Sequence, residues 1–259
     1  MKVITSEDNP RFRGLLKLAQ SSRERKHSGL SLLDGTHLVE AYLRHVGRPQ
    51  ELVASRSGMD NPEVQSLVAA AGGDGLLLSD ALFRQLSSVA TPTGLLAVAP
   101  TPRMVLPERL SGFSVWLEDL QDPGNLGSIL RSAAAAGVDT VCLSKHSVHA
   151  WSPRVLRAGM GAHFALRIVE DVDLVALAGR YHGRTVATRL HAGTAIYETD
   201  LRGDVALILG NEGAGLSSAL AGLAQVEACI PMPGSAESLN VAAAAAVCLF
   251  ERVRQTRAQ

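Results

Sequence analysis

Two hydrophobic rhythms alternate along this chain. Short apolar or β-branched runs predict strands at residues 30–33, 51–54, 75–78 and 94–99, and again at 114–117, 140–143, 165–169, 185–188, 205–209 and 226–230. Between them, apolar positions three and four apart predict helices at 9–27, 37–46, 62–71, 80–88, 126–136, 152–158, 173–181, 217–223 and 239–254. Strand–helix alternation throughout means an α/β protein. Runs such as Val205-Ala-Leu-Ile-Leu209 lack polar alternation, so their sheet is expected to be parallel and covered on both faces. No internal repeat interrupts the pattern, and low complexity is confined to alanine runs at 133–136 and 242–246.

Composition refines this picture. The chain has 259 residues, enough for two domains. Three prolines within residues 100–107 mark the boundary. The expected division is a small α/β domain at 1–100, a Pro-rich linker at 101–109 and a second domain at 110–259. A composition 46% hydrophobic and 19% charged excludes a disordered chain. Lysines and arginines number 25 and carboxylates 25, so no global field draws the protein to nucleic acid and any such affinity must be local. The one basic concentration is residues 9–27, with Arg11, Arg13, Lys17, Arg23, Arg25 and Lys26. It is either a solvated helix face or a patch that contacts phosphate. The N-terminus has no apolar run of signal-peptide length and no stretch reaches membrane-spanning length without interruption by charge, so no membrane partner is expected. Cys142, Cys229 and Cys248 are odd in number and far apart, as expected of reduced thiols in a cytoplasmic protein. Cys142, His146 and His149 lack a fourth ligand, so no metal site is expected.

Candidate chemistry lies in three loops at the ends of predicted strands. The first contains Asp122-Pro-Gly-Asn125 and leads through Gly127 to Arg131. Asp-Pro-Gly is a turn signal, and Asn125 is the expected N-cap of the next helix. Gly127 and Arg131 are four apart and share a helix face, so the guanidinium is expected to lean towards the strand ends where open α/β sheets bind ligands. The second loop, Leu209-Gly-Asn-Glu-Gly-Ala-Gly215, has three glycines that admit a ligand close to the backbone. It is neither a P-loop nor a dinucleotide fingerprint, and Glu212 within it suits a cationic or hydroxyl-bearing ligand. The third comes after Ile230: Pro231-Met-Pro-Gly234, then Ser238-Leu-Asn240 at the mouth of an alanine-rich helix. Prolines stiffen the loop, and the helix start offers free N–H groups with partial positive charge. Each loop alone is also compatible with an ordinary capped helix.

Taken in order, NxGxxxR, LGNEGxG and IPMxGxxxSLNVxxA resemble the three signature motifs of the SpoU/TrmH family of RNA ribose 2′-O-methyltransferases, within the SPOUT superfamily. Val155-Leu-Arg-Ala-Gly-Met-Gly161 and Ala195-Ile-Tyr197 resemble further family segments. Upstream, Asn9-Pro-Arg11 through Leu33-Asp-Gly-Thr36 is similar to the family's L30e-like RNA substrate-binding domain. Departures from the family pattern, at Ala134 to Ala136, Gly159, Ala242 and Ala243, touch no residue with a chemical role.

The resemblance implies a parallel sheet with a deep trefoil knot, a homodimer, and transfer of a methyl group from S-adenosyl-L-methionine to a ribose 2′-hydroxyl of structured RNA, with ribosomal RNA expected ahead of tRNA. It implies cofactor contacts at Leu209, Gly210, Asn211, Gly213, Ile230, Met232, Ser238 and Leu239. Asn125, Arg131, Glu212, Ser238 and Asn240 fall on catalytic positions, with Asn125 and Glu212 fixing Arg131. Arg11, Arg13, Arg23, Arg25 and Lys26 would supply the phosphate patch. A neutral arginine as proton acceptor conflicts with a guanidinium that stays protonated. Stabilisation of a developing alkoxide by Arg131 is the other route. A tRNA methyltransferase, a base methyltransferase and a non-catalytic RNA-binding protein are the competing functions.

Overall fold

A computed structural model describes residues 1–257. Its chain divides into two compact units, Met1–Pro102 with Trp151–Phe164, and Arg103–Ala150 with Ala165–Gln259. The sequence pattern drew residues 110–259 as one uninterrupted stretch. The structure instead groups Trp151–Phe164 with the first unit, where Phe164 meets Tyr42 edge-on at 5.3 Å between ring centres.

The first unit contains β1 (Lys2–Ile4), α1 (Pro10–Gln20), α2 (Ser22–Ser28), β2 (Leu30–Asp34), α3 (Thr36–His45), β3 (Glu51–Ser55), α4 (Pro62–Ala70), β4 (Leu76–Leu78), α5 (Asp80–Leu86) and β5 (Leu95–Pro100). Its sheet runs β1-β4-β3-β5-β2, with β5 antiparallel to both neighbours. Phe12, Leu15 and Leu18 on one face of α1 bury against Leu32, Val53, Leu78 and Leu96 of the sheet. The three-residue edge strand β1 was too short to read from periodicity.

The helix expected over 9–27 is two helices. Ser21 leaves the helical region (φ −113°, ψ 115°), and its hydroxyl accepts the N–H of Glu24 at 3.2 Å. A serine side chain that caps a new helix competes with continuing the old one. The break re-aims the basic residues. Arg25 is buried, 7% exposed, and its Nη1 donates to the carbonyls of Leu18 (2.7 Å) and Ala19 (3.0 Å) at the end of α1. It therefore closes a helix terminus and is not available to phosphate. Arg11 pairs with Glu51 at 2.9 Å and Arg13 with Asp8, while Arg23 and Lys26 are exposed.

The second unit continues with β6 (Phe113–Leu117), α6 (Pro123–Ala135) and β7 (Thr140–Ser144). Helix α7 (Pro153–Gly159) belongs to the first unit. The rest is β8 (Arg167–Val172), α8 (Leu174–Ala178), β9 (Arg184–Thr188), β10 (Thr194–Ala195), β11 (Val205–Leu209), α9 (Ser218–Ala221), β12 (Val226–Cys229) and α10 (Val241–Arg257). Seven strands form a parallel sheet in the order β10-β12-β9-β11-β6-β7-β8. Every residue of β6 and β11 is buried, as the unbroken apolar runs require. Trp116, Cys142 and Ile208 pack under Leu174, Leu177 and Leu220 on one face. On the other, α10 packs against α6 and β11. The strand order reverses at β6 and β11, the switch point where such sheets open a crevice at their carboxyl ends.

Candidate active site

Three loops leave the carboxyl ends of β6, β11 and β12, and hydrogen bonds join them. The first begins with Asp119 in the left-handed region (φ 54°), its carboxylate accepting the Ser144 hydroxyl at 2.6 Å. Its carbonyl accepts Asn211 Nδ2 at 2.8 Å, which ties the first loop to the second. Helix α6 is capped by Asp122, whose Oδ1 accepts the N–H of Asn125 at 2.7 Å, with Pro123 opening the helix. The expectation that Asn125 caps this helix is thus corrected. An aspartate before a proline is the stronger start signal, because it pairs an acceptor with a residue that has no N–H to satisfy. Asn125 sits in the first turn instead, with its amide free to reach outwards.

The second loop is a tight return. Asn211 and Gly215 exchange backbone hydrogen bonds of 3.0 Å, and Asn211 Oδ1 accepts the N–H groups of Gly213 and Ala214 at 2.9 Å. A Cβ on Gly210 would run into the backbone of Gly215 and Leu216, so only glycine fits there. Glu212 projects from the turn to the start of α6. Its Oε1 accepts Asp122 N and Asn125 Nδ2, both at 3.1 Å, and its Oε2 accepts Gln121 N at 3.3 Å. Partial burial pushes this carboxyl up, but the donors, led by Asn125, outweigh it and leave the group below its usual range.

The third loop completes the chain of contacts. Asn240 caps α10, its Oδ1 accepting the N–H groups of Ala242 (2.9 Å) and Ala243 (3.4 Å), while its Nδ2 donates to Asn125 Oδ1 at 2.9 Å. The polarity of this relay is fixed at both ends. Backbone donors force Asn240 to present its oxygen to the helix, and the Glu212 carboxylate can only accept. Asn125 must therefore accept from Asn240 and donate to Glu212.

Beside the relay lies a cavity of about 360 Å³. Leu209, Gly210, Asn211, Gly213, Ile230, Met232, Ser238 and Leu239 all line it, and Glu212 borders it. Arg131 stands apart. It is exposed and lies outside the cavity lining, and its side chain bonds to no described residue, so Asn125 and Glu212 do not hold it within one chain. It is six positions along the helix from Asn125, about 120° of rotation and about 9 Å of rise. Sequence reasoning missed the wall formed by Thr188, Arg189, Leu190 and His191 at the end of β9. The available signal was that neighbouring parallel strands all deliver their next loops to one edge of the sheet. Among the described residues no group of three or more His, Cys, Asp or Glu could hold a metal, and no helix is long and apolar enough to cross a membrane.

A glycine-walled cavity at the switch point of a parallel sheet, bordered by a polar relay, is the arrangement of an α/β enzyme that holds a small cofactor. The chain belongs to the SpoU rRNA Methylase family, whose profile matches residues 112–250, and the profile of the MRM3-like substrate binding domain matches residues 9–97. It is 33% identical over 256 residues to the 23S rRNA (guanosine(2553)-2′-O)-methyltransferase RlmP of Bacillus subtilis, covering 96% of this chain and 98% of that one. The crystal structure of an RNA 2′-O ribose methyltransferase is similar at 34% identity and TM-score 0.85, over 98% and 99% of the two chains. The AdoMet-bound rRNA methyltransferase from Sinorhizobium meliloti is 29% identical with TM-score 0.84, over 98% of each chain.

Proposed function

We propose that this chain transfers a methyl group from S-adenosyl-L-methionine to a ribose 2′-hydroxyl of ribosomal RNA. The observation that carries this reading is the relay Glu212–Asn125–Asn240, which binds the three motif loops together beside one cavity. The cavity fits the cofactor. Leu209, Ile230 and Leu239 give apolar walls for a flat base, and the absence of a side chain at Gly210 lets backbone groups approach its edge. When bound, the cofactor supplies an electrophilic methyl group on a sulfonium sulfur.

The residues of the chain then position and polarise the RNA. Methyl transfer would depend on how the ribose 2′-hydroxyl is placed beside the cavity, so a rigid frame would supply much of the rate. The relay is that frame, with Ser238 on the cavity wall and Asn240 orienting the loop and the ribose. Glu212 is a poor base, because its oxygens are occupied by three donors and its proton affinity is reduced. Arg131, exposed and free of carboxylates, would grip the ribose or its phosphate and stabilise the developing alkoxide as the proton leaves to phosphate or water. Arg23 and Lys26 would carry RNA phosphate contacts, with Arg11 and Arg13 contributing only by releasing Glu51 and Asp8.

The finer features fit the same reading. A trefoil knot is supported by the route of the chain, which leaves β12 beyond β9 and returns to pack α10 on α6. A homodimer is supported by Ala243, Val247 and Phe250, which lie at helical spacing on α10 with Phe250 48% exposed. A second copy offers the means to bring Arg131 to a cavity. A cytoplasmic location agrees with Cys142, Cys229 and Cys248 as free thiols.

The test is labelled-methyl transfer to unmodified ribosomal RNA and tRNA. Methyl groups should enter ribosomal RNA and leave nuclease-resistant dinucleotides, and Arg131→Ala should slow the reaction by about a hundredfold or more. Cofactor binding without methylation of either pool would point to a binding module, and nuclease-sensitive product to base modification.

A further inference from the structure

The wall of the cavity formed at the end of β9 has no role in the mechanism above. Arg189 is the first residue beyond that strand. Its backbone N–H donates to the Ala228 carbonyl at 2.9 Å, so the loop is tied to β12 and cannot swing freely. Its Nη1 donates to Glu227 Oε1 at 2.8 Å, and its other guanidinium N–H groups bond to no described residue. The remaining charged side chain on the cavity lining, apart from His191, is Glu212, whose two oxygens already accept three hydrogen bonds. Among the described lining residues, Arg189 is therefore the permanent charge with donors still to give.

Resting on the methyltransferase reading, we infer that the Arg189 guanidinium receives the α-carboxylate at the amino-acid end of the cofactor, with Glu227 holding it in place. The cofactor has three charged groups there: a sulfonium, an ammonium and a carboxylate. Only the carboxylate complements a guanidinium, and planar charge-assisted pairing makes arginine its strongest side-chain partner. Glu227 anchors one arm of the fork, so less side-chain freedom is lost when the other arm binds. Apolar Leu209, Ile230 and Leu239 then receive the adenosine, and the two ends of the ligand are read by different walls.

Calorimetry with S-adenosylhomocysteine and its decarboxylated analogue tests this without turnover. The wild-type protein should prefer the carboxylate-bearing ligand by roughly ten- to a hundredfold, the range of a charge-assisted hydrogen bond. Arg189→Met should bring the two affinities within about threefold by weakening S-adenosylhomocysteine alone, and Arg189→Lys should keep part of the preference. Equal binding of the two ligands by the wild type overturns the inference. So does a methionine variant that weakens both alike or leaves the preference intact. If the wild type binds neither ligand, the methyltransferase reading itself fails.

Discussion

The oxygens of Glu212 accept from Gln121, Asp122 and Asn125, all on the stretch that opens α6, so one side chain of the second motif fixes the first. Asn125 passes the constraint to Asn240 and through it to α10. Glu212→Gln places an NH₂ against donors, and each lost bond to a charged group is worth about ten- to a hundredfold in kcat/KM. Asn125→Ala should cost a similar amount. The double variant should be little worse than the worse single one, because either change breaks the same relay. Fully multiplicative losses in steady-state kinetics would show that no relay exists. The depressed Glu212 carboxyl sets the pH sense. Its contribution is complete above the ordinary value of 4.5 and disappears as pH falls through the lower folded value, so the relay should fail in acid and not between about pH 5 and 8. Glu212 and Asn240 could be singled out because each stands in a motif with its own local chemistry, but the task expected of Glu212, fixing Arg131, is replaced within one chain by holding the start of α6. Asn125 was placed in the right motif but given the wrong task, since its work depends on partners 87 and 115 residues away.

At the level of elements, the turn after β6 controls where the second loop sits. Asp119 adopts a left-handed conformation that non-glycine residues rarely take, and its carbonyl holds Asn211. Its carboxylate accepts Ser144 Oγ at 2.6 Å, while Ser144 Oγ also receives its N–H at 2.7 Å, a reciprocal brace that offsets the cost of the backbone. Asp119→Gly removes the carboxylate half of the brace and the strain together and should shift unfolding by no more than about 1 kcal/mol. Asp119→Val keeps the strain, adds a β-branch and loses the carboxylate half of the brace, and should destabilise by about 2 kcal/mol or more. Equal denaturation midpoints for the two would remove Asp119 from this role. Strand and helix positions were readable because burial imposes a period on each. Loop partnerships were not. The wall at the end of β9 became visible only once the sheet order put β9 beside β11, and that order depends on long-range packing with no local signal. The two-residue β10 and three-residue β1 are too short to have a period at all.

For the molecule as a whole, the formal charge balance of 25 against 25 leaves no net field to gather RNA, so affinity has to come from particular faces and from multiplication of weak contacts. The proposed pairing of two copies is one way to multiply them, and the exposed face of α10 is the surface proposed for it. Ala245, Cys248 and Leu249 occupy its buried side, leaving exposed Ala243 and Phe250, with half-buried Val247 between them, on the other. Phe250, 48% exposed, is an aromatic that a second copy could cover. Small neighbours such as Ala243 let another helix come close. Phe250→Asp puts a carboxylate on that face while leaving the buried side untouched. Sedimentation should then report a single copy where the wild type gives two, because a buried unpaired charge costs several kcal/mol at an interface. Methyl transfer should fall with the loss of the pair, while S-adenosylhomocysteine should still bind if the cavity of each chain is complete on its own. A variant that stays paired and fully active would place the contact elsewhere, and a wild type that sediments as one copy at full activity would leave Arg131 to find the ribose within its own chain.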